Sequence, residues 1–239
     1  MQMALDEVAA ETVADGGRPT LRVYRWEPST LSLGYGQESE TVDWAYCERA
    51  DIDVTRRQTG GGGIYHDARG DISYSIAVPA RAVPGDLLAS YDLLCEPVLT
   101  AFSRMGVDAD FAAAERPAVH EPACYLRAVH PAHDVLAGGK KISGNAQHRG
   151  REAVVQHGSL SYACRPDRHL GVFDADIDPE RFDERVTSIR AQSGIDRASA
   201  VDALETALQE WADATVGSWT EGERARAERL AAETYASEP

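Results

Sequence analysis

The stretch His133-Asp134-Val135-Leu136-Ala137-Gly138-Gly139-Lys140-Lys141-Ile142-Ser143-Gly144-Asn145-Ala146-Gln147 reads as two β-strands turned on Gly138-Gly139, the two-glycine connection that tight hairpins favour. Alternation after the turn puts Lys141, Ser143, Asn145 and Gln147 on one strand face, and Lys140, Ile142, Gly144 and Ala146 on the other. AVVQHGSLSY (153–162) follows as a third strand. Upstream, DISYSIAV (71–78) alternates as a strand that ends at Pro79.

Around these strands the periodicity becomes helical. Residues 3–14 carry Met3, Ala4, Val8, Ala9 and Val13 on one stripe and stop at Gly16-Gly17. LRVYRW (21–26) and TLSLGYG (30–36), on either side of Pro28, read as a hairpin. Helices are expected at 41–50 and 86–105, with a short strand near Val54. Residues 112–132 mix Ala, Pro and His, and a loop of that length argues for a binding loop. The tail from about 179 to 239 is acidic, alanine-rich and helical, clearest at 197–215 and 221–235. Strands followed by helices, with few βαβ units, predict an α+β fold: a mixed or antiparallel sheet flanked by helices, in a single domain over 1–239.

The chain has 24 Lys+Arg against 39 Asp+Glu and a net charge of −15. Such a field repels polyanions and argues against nucleic-acid binding. No apolar run is long enough to span a membrane, and the acidic N-terminus lacks the pattern of a secretory signal. Four scattered cysteines without a CxxC pair suit a reducing cytoplasm. Acid excess with lysine almost replaced by arginine resembles the style of salt-accumulating proteomes.

Only two of the 24 basic residues are lysines, Lys140 and Lys141. Lysine is a compact charge with a shiftable pKa, whereas arginine is a planar fork that stays protonated. A lysine kept where arginine serves everywhere else points to chemistry. Lys141 heads the polar row and is the catalytic candidate, and Lys140 reads as a solvated turn residue. Arg56-Arg57-Gln58-Thr59-Gly60-Gly61-Gly62-Gly63-Ile64-Tyr65-His66-Asp67 is the densest signal. Consecutive glycines suit a backbone that passes close to a ligand with its N–H groups aimed at an anion, and a solvated flexible loop is the competing reading. No Gly-Lys-Ser/Thr follows, so it is not a Walker loop. His157 precedes Gly158, where a ligand could approach. Cys124, in the irregular loop, is a candidate nucleophile; Cys47 and Cys95 lie on apolar helix stripes. A zinc site from Cys124, His130 and His133 has too few ligands and no common spacing.

Together, MALDE (3–7), LSLGYGQ (31–37), RRQTGGGGIYHD (56–67), GDISYS (70–75), GGKKISGNAQ (138–147), QHGSL (156–160) and AAETYAS (231–237) resemble the lipoate-protein ligase and octanoyltransferase family. The resemblance runs in family order over nearly the whole chain. It implies the class II aminoacyl-tRNA-synthetase-like fold of biotin and lipoate ligase catalytic domains, without the small C-terminal accessory domain of long lipoate ligases. It also implies that Arg56, Arg57, Gly60, Gly61, Gly62, His66 and Asp67 wrap the acyl group or acyl-adenylate. Lys141 would bind the acyl carbonyl and phosphate, Ser143, Gly144 and Asn145 would line the pocket, and His157 and Gly158 would close it. The family places a strand before the MALDE helix, so the start of this chain is expected to be short.

The resemblance leaves two chemistries. A ligase forms lipoyl-AMP from lipoate with ATP and Mg2+ and acylates a lysine of a lipoyl domain, in a 2-oxoacid dehydrogenase or the glycine cleavage H protein. It could require an accessory subunit. An octanoyltransferase takes octanoyl from acyl carrier protein through a thioester, for which Cys124 stands near the family's nucleophile position, and needs no cofactor. The unbroken glycine run favours the ligase. The absence of a GRGRxGR-type loop disfavours a biotin ligase. A member that only binds a lipoyl domain or fatty acid is disfavoured by the retained Lys141. Lipoyl domains of the family's partners are commonly acidic, and molar salt shortens the Debye length to about 3 Å. Acylation of an acidic lipoyl domain should therefore speed up as salt is raised, and an initial-rate series that peaks at low ionic strength would contradict the halophile reading.

Overall fold

The structure, a computed structural model, describes residues 1–236, so the last residue of the AAETYAS match lies outside it. In chain order the elements are α1 (Gln2–Ala14), β1 (Thr20–Tyr24), β2 (Thr30–Leu33), α2 (Trp44–Arg49), β3 (Asp53–Arg56), β4 (Ile64–His66), β5 (Asp71–Pro79), α3 (Leu87–Arg104), β6 (Ala109–Phe111), β7 (Asp134–Ala137), β8 (Lys140–Arg149), β9 (Ala153–Ser161), α4 (Pro166–Gly171), α5 (Pro179–Arg185), α6 (Ile189–Ser193), α7 (Arg197–Ala212) and α8 (Glu221–Glu233). An antiparallel six-stranded sheet has the order β1-β5-β9-β8-β7-β6, and a small sheet has the order β3-β2-β4. This is the expected α+β fold.

The large sheet is buried on both faces. Ile72, Tyr74 and Ile76 of β5 join Ile142, Leu160, Leu94, Val98, Phe102, Leu204 and Leu208 in the main core under α3 and α7. Their alternates Asp71, Ser73 and Ser75 are also buried, on the opposite face toward α1 and the small sheet. Polar residues on a covered face need internal partners. Here they form the floor of a groove.

The sequence expectation of a hairpin over 21–36 is overturned. β1 pairs with β5, whereas β2 pairs with β3 in parallel and with β4 in antiparallel. All four residues of β2 are buried, with Leu31 and Leu33 in a second core that also takes Val54, Tyr65, Leu126, Phe173 and Phe182. Both strands show hairpin-like periodicity, but burial of every β2 side chain is better met inside a sheet of its own. Pro28, which has no N–H for a ladder, lies between them.

α1 and α8 pack on each other through Met3, Ala4, Val8, Ala227 and Leu230, with Trp26 and Tyr235. The tail thereby reaches the glycine loop: Gln58 donates to Glu7 (2.8 Å) and to the Tyr235 hydroxyl (2.6 Å). Thr220 and Glu223 form a capping box at the start of α8. The α7 to α3 packing is testable. Leu204, fully buried in the main core, should cost about 2–5 kcal/mol on replacement by alanine, read as a lower midpoint at unchanged slope in urea unfolding.

Candidate functional site

A cavity of about 430 Å³ runs between the two sheets. One register row crosses its floor: Tyr24 faces Ser73, Ser73 faces Ser159, Ser159 faces Gly144, and Gly144 faces Asp134. All five line the cavity. Four inter-strand steps at about 4.8 Å make this groove about 19 Å long. Its hydroxyls are consumed internally. Ser73 Oγ donates to Asp71 (2.6 Å), Ser159 Oγ donates to the other oxygen of Asp71, and Trp26 Nε1 donates to Ser73 Oγ (3.0 Å). The His66 ring, stacked on Trp26 at 4.4 Å, joins Asp71 (3.0 Å) to Ser32 (2.9 Å). Burial lowers its pKa against the pull of Asp71, which keeps the ring neutral at pH 7. With its serine hydroxyls paired, the floor presents a largely apolar surface.

Lys141 and Asp134 form the chemical end. The β7 to β8 register shifts between Val135 and Leu136, so that Val135 faces Ser143 and Leu136 faces Lys141. Ile142 is the extra residue, and the irregularity breaks the predicted alternation. Lys141 turns to the groove beside Gly144, where its Cε and Nζ lie 3.3 and 3.5 Å from the place a Cβ would take. The position expected to share Lys141's face, Ser143, is fully buried and does not line the cavity. Asn145 accepts from the Tyr74 hydroxyl (2.7 Å) yet still reaches the cavity wall.

Lys141 is 3% exposed and Asp134 1%, so neither charge could stay without the other. Lys141 Nζ lies 2.7 Å from Asp134 Oδ1 and donates to the Cys124 carbonyl at 3.0 Å. The Cys124 Sγ is 3.7 Å away. Burial works against the ammonium, but Cys124 and Asp134 together hold its pKa above the ordinary lysine value. Burial likewise opposes the Asp134 carboxylate, and Lys141, then His133, hold it well below the ordinary carboxylate range.

The glycine loop positions Cys124. Gly63 N–H donates to the Pro122 carbonyl (2.7 Å), and Cys124 N–H to the Gly63 carbonyl (2.8 Å). A Cβ on Gly62 would fall 2.7 Å from Pro122 O and 3.0 Å from Cys124 N, so only glycine lets the cysteine loop lie this close. Among the described residues, the N–H groups of Gly60, Gly61 and Gly62 have no acceptor. These glycines line the cavity and a second hollow shared with Arg127, a setting suited to an anion or a developing oxyanion.

The expected site residues divide. Lys141, Cys124, Arg57, Gly60, Gly61, Gly62, His66, Gly144, Asn145, His157 and Gly158 line the cavity; Arg56, Asp67 and Ser143 do not. Arg56 donates to the carbonyls of Gly34, Tyr35 and Gln37. Asp67 binds the N–H groups of Arg69 and Gly70 and pairs with Arg165. Arg57 is 4% exposed, and burial lowers its pKa to about 10. It ties down Ser32 O (2.7 Å) and the carbonyls of Gly60 and Gly62 (both 2.8 Å). Both arginines thus serve backbone carbonyls, Arg57 those of the glycine loop and Arg56 those of the turn after β2, leaving the glycine N–H groups for a ligand. His157 links Thr59 (2.8 Å) to Asp6 (3.2 Å), and Asp6 pairs with Arg22, so α1 is joined to the glycine loop. The sequence reading passed over Asp134 and the serine row. An acid inside the apolar run Val135-Leu136-Ala137, seven residues before Lys141, was the available signal.

The ion pair has a measurable signature. Asp134→Asn leaves Lys141 buried without its counter-charge and should cost about 3–5 kcal/mol at pH 7. A depressed folded pKa contributes stability that is complete above the ordinary carboxylate value and fades as pH falls through the folded one. The gap between wild type and variant in urea unfolding should therefore be constant from pH 7 to about 5 and narrow below about pH 4; an equal gap at pH 7 and 3 would assign the loss to something other than charge.

With this geometry in place, the chain's similarities can be stated. The family model for the lipoyl protein ligase A/B catalytic domain matches residues 1–211. Octanoyltransferase LipM of Kyrpidia tusciae is 32% identical over 99% of this chain and 92% of its own length. Octanoyltransferase LipM of Oceanobacillus iheyensis is 33% identical over 81% and 73%. A lipoate-protein ligase A solved with bound ATP is 25% identical, superposes with a TM-score of 0.81, and covers 99% of this chain and 90% of its own. The bipartite lipoate protein ligase of Thermoplasma acidophilum, at 24% identity and a TM-score of 0.81, shares the fold.

Proposed function

The chain belongs to the lipoyl protein ligase A/B catalytic-domain family, and on that premise we propose that it is an octanoyltransferase that carries its acyl group on Cys124. The donor is an octanoyl thioester of acyl carrier protein. The acceptor is a lysine of a lipoyl domain, as in 2-oxoacid dehydrogenases or the glycine cleavage H protein. The observation that carries this reading is the cysteine itself: Cys124 lines the groove with its Sγ 3.7 Å from the Lys141 ammonium. The fixed cation beside the thiol faces the charge that develops as the sulfur attacks a thioester carbonyl. The 32% identity to an octanoyltransferase over 99% of the chain supports the same choice. The unbroken glycine run, which in sequence favoured a ligase, is accounted for by contacts that either chemistry needs.

The groove suits the substrate. An extended eight-carbon chain built from C–C bonds of about 1.5 Å spans roughly 10 Å, and the Tyr24 to Asp134 row is longer. The sulfur of Cys124 attacks the carrier thioester carbonyl, the oxyanion meets the free N–H groups of Gly60–Gly62 and the Lys141 ammonium, and the thiol proton of Cys124 passes to the departing carrier sulfur, which leaves as the carrier thiol. The acceptor amine then attacks the Cys124 thioester and frees the cysteine. We assign the whole activity to one domain over 1–239 working in the cytoplasm, with no cofactor.

The lipoate ligase remains the second reading, supported by the likeness to the ATP-bound lipoate-protein ligase A. There, ATP with Mg2+ would be the co-substrate and the same N–H groups and Arg127 would meet phosphate. Purified protein, an apo lipoyl domain and either donor separate the two by product mass. Octanoyl carrier protein should acylate the domain, with a Cys124 adduct of octanoyl mass on the enzyme. Cys124→Ala should abolish transfer, and Lys141→Arg, whose planar fork cannot replace the ammonium, should lower it about 100-fold or more with the fold intact. Transfer from lipoate and Mg-ATP that survives Cys124→Ala would replace this reading with the ligase.

A further inference from the structure

We infer that His133 is the proton outlet of this site, acting through Asp134 as a positioning residue that does not touch the substrate. The inference rests on the acyl-transfer reading above and begins from its proton balance. Forming the enzyme thioester exchanges one thiol for another and releases no net proton. Forming the amide is different. A lysine amine arrives as an ammonium at neutral pH, and thioester plus R–NH3+ gives amide plus Cys124 thiol plus one H+. One proton per turnover must therefore leave a buried site.

The buried pair cannot discharge it alone. Lys141 is held charged and Asp134 is held ionised across the neutral range, so neither is a terminal proton acceptor there. His133 meets both requirements of an outlet. Its Nδ1 lies 3.5 Å from Asp134 Oδ1, the oxygen that pairs with Lys141, and its side chain is 37% exposed against 2% for Asp134. An imidazole can also take a proton at one ring nitrogen and release one from the other.

The ring is held in place. The His133 carbonyl accepts from the Asn145 N–H (3.1 Å) and from Asn145 Nδ2 (2.9 Å). One side of the imidazole stacks on His130, with centroids 5.1 Å apart and planes 7° apart, and it also tilts against Tyr91 of α3 at 5.6 Å. His130 Nδ1 accepts from the Ala132 N–H (3.1 Å), and its Nε2 lies 3.7 Å from Glu115. The charged and titratable groups facing His133 are therefore Asp134, with Lys141 behind it, His130 with Glu115 beyond, and Tyr91, whose phenol burial pushes up to about 12.

The transfer balances without an added reagent. Lys141 passes an N–H proton to the ionised Asp134, which hands that same proton on to Nδ1 of a neutral His133 ring whose own proton is on Nε2. The neutral Lys141 amine then takes the proton of the acceptor ammonium and returns to its charged state, and the acceptor amine attacks the thioester. His133 loses its Nε2 proton to water, and exchange with solvent moves the remaining ring proton from Nδ1 back to Nε2 before the next turnover.

The test separates the two half-reactions of the intact enzyme. In His133→Asn, octanoylation of Cys124 from octanoyl carrier protein, followed by intact mass, should proceed as in wild type, which also shows that the site is folded. Transfer from the preformed thioester to the lipoyl domain at pH 6.5–7 should fall about tenfold or more. It should recover toward wild type as pH rises and the acceptor amine deprotonates, and imidazole added to the buffer should restore it at pH 7. Wild-type transfer rates and pH profile in the variant would overturn the proposal alone. A loss that is equal at every pH and unmoved by imidazole would make His133 merely structural and overturn it too. If wild-type enzyme acylates the domain without any Cys124 adduct, the thioester premise falls and the outlet with it.

Discussion

A lysine buried to 3% exposure has to be neutralised or discharged, and the end of the groove is organised around the first solution. Asp134 supplies the counter-charge at 2.7 Å, and the Cys124 carbonyl takes another of the ammonium's protons at 3.0 Å. Taking both ions out of water costs several kcal/mol each and is offset only when the geometry and the remaining hydrogen bonds are right. That requirement fixes the neighbours. The irregularity in β8 turns Lys141 into the groove, and Thr187 caps its carbonyl at 2.9 Å from the segment after α5. The cysteine is brought to the ammonium by its docking on Gly63.

The glycine loop follows the same logic from the other side of the cavity. Four glycines in a row are entropically costly to order, and their carbonyls have few strand partners. Arg57 supplies those partners from below, with His157 and Thr59 tying the loop to α1 through Asp6. With the carbonyls of Gly60 and Gly62 taken by Arg57, the amides of Gly60–Gly62 are left without a protein acceptor beside the cavity. A cation spent on the scaffold thus leaves a neutral donor array beside a fixed ammonium. This combination can stabilise an oxyanion without drawing in bulk anions.

Comparison of residues with structure shows where reading the chain succeeds. Lys141, Cys124, the glycine run and His157 were legible because each is an exception to its surroundings: a lysine among arginines, a thiol in a polar loop, glycines without a turn to explain them. Asp67 and Arg56 were equally prominent, yet both bind backbone groups away from the cavity lining, since a local pattern does not say whether a charge faces a ligand or its own backbone. The hairpin expected over 21–36 failed because strand periodicity is local and pairing is not.

The sequence by itself determined the α+β class, the chemical candidates and the acidic surface, because alternation, helical stripes and charge are properties of neighbouring residues. The tertiary structure alone decided which candidates share one cavity. Lys141 and Cys124 are 17 positions apart, Asp6 and His157 151 apart, and no spacing rule links them. The structure also decided the faces of β8, where one extra residue reverses the direction in which Lys141 points. A single bulge is invisible to a period of two, yet it moves a side chain from one side of the sheet to the other.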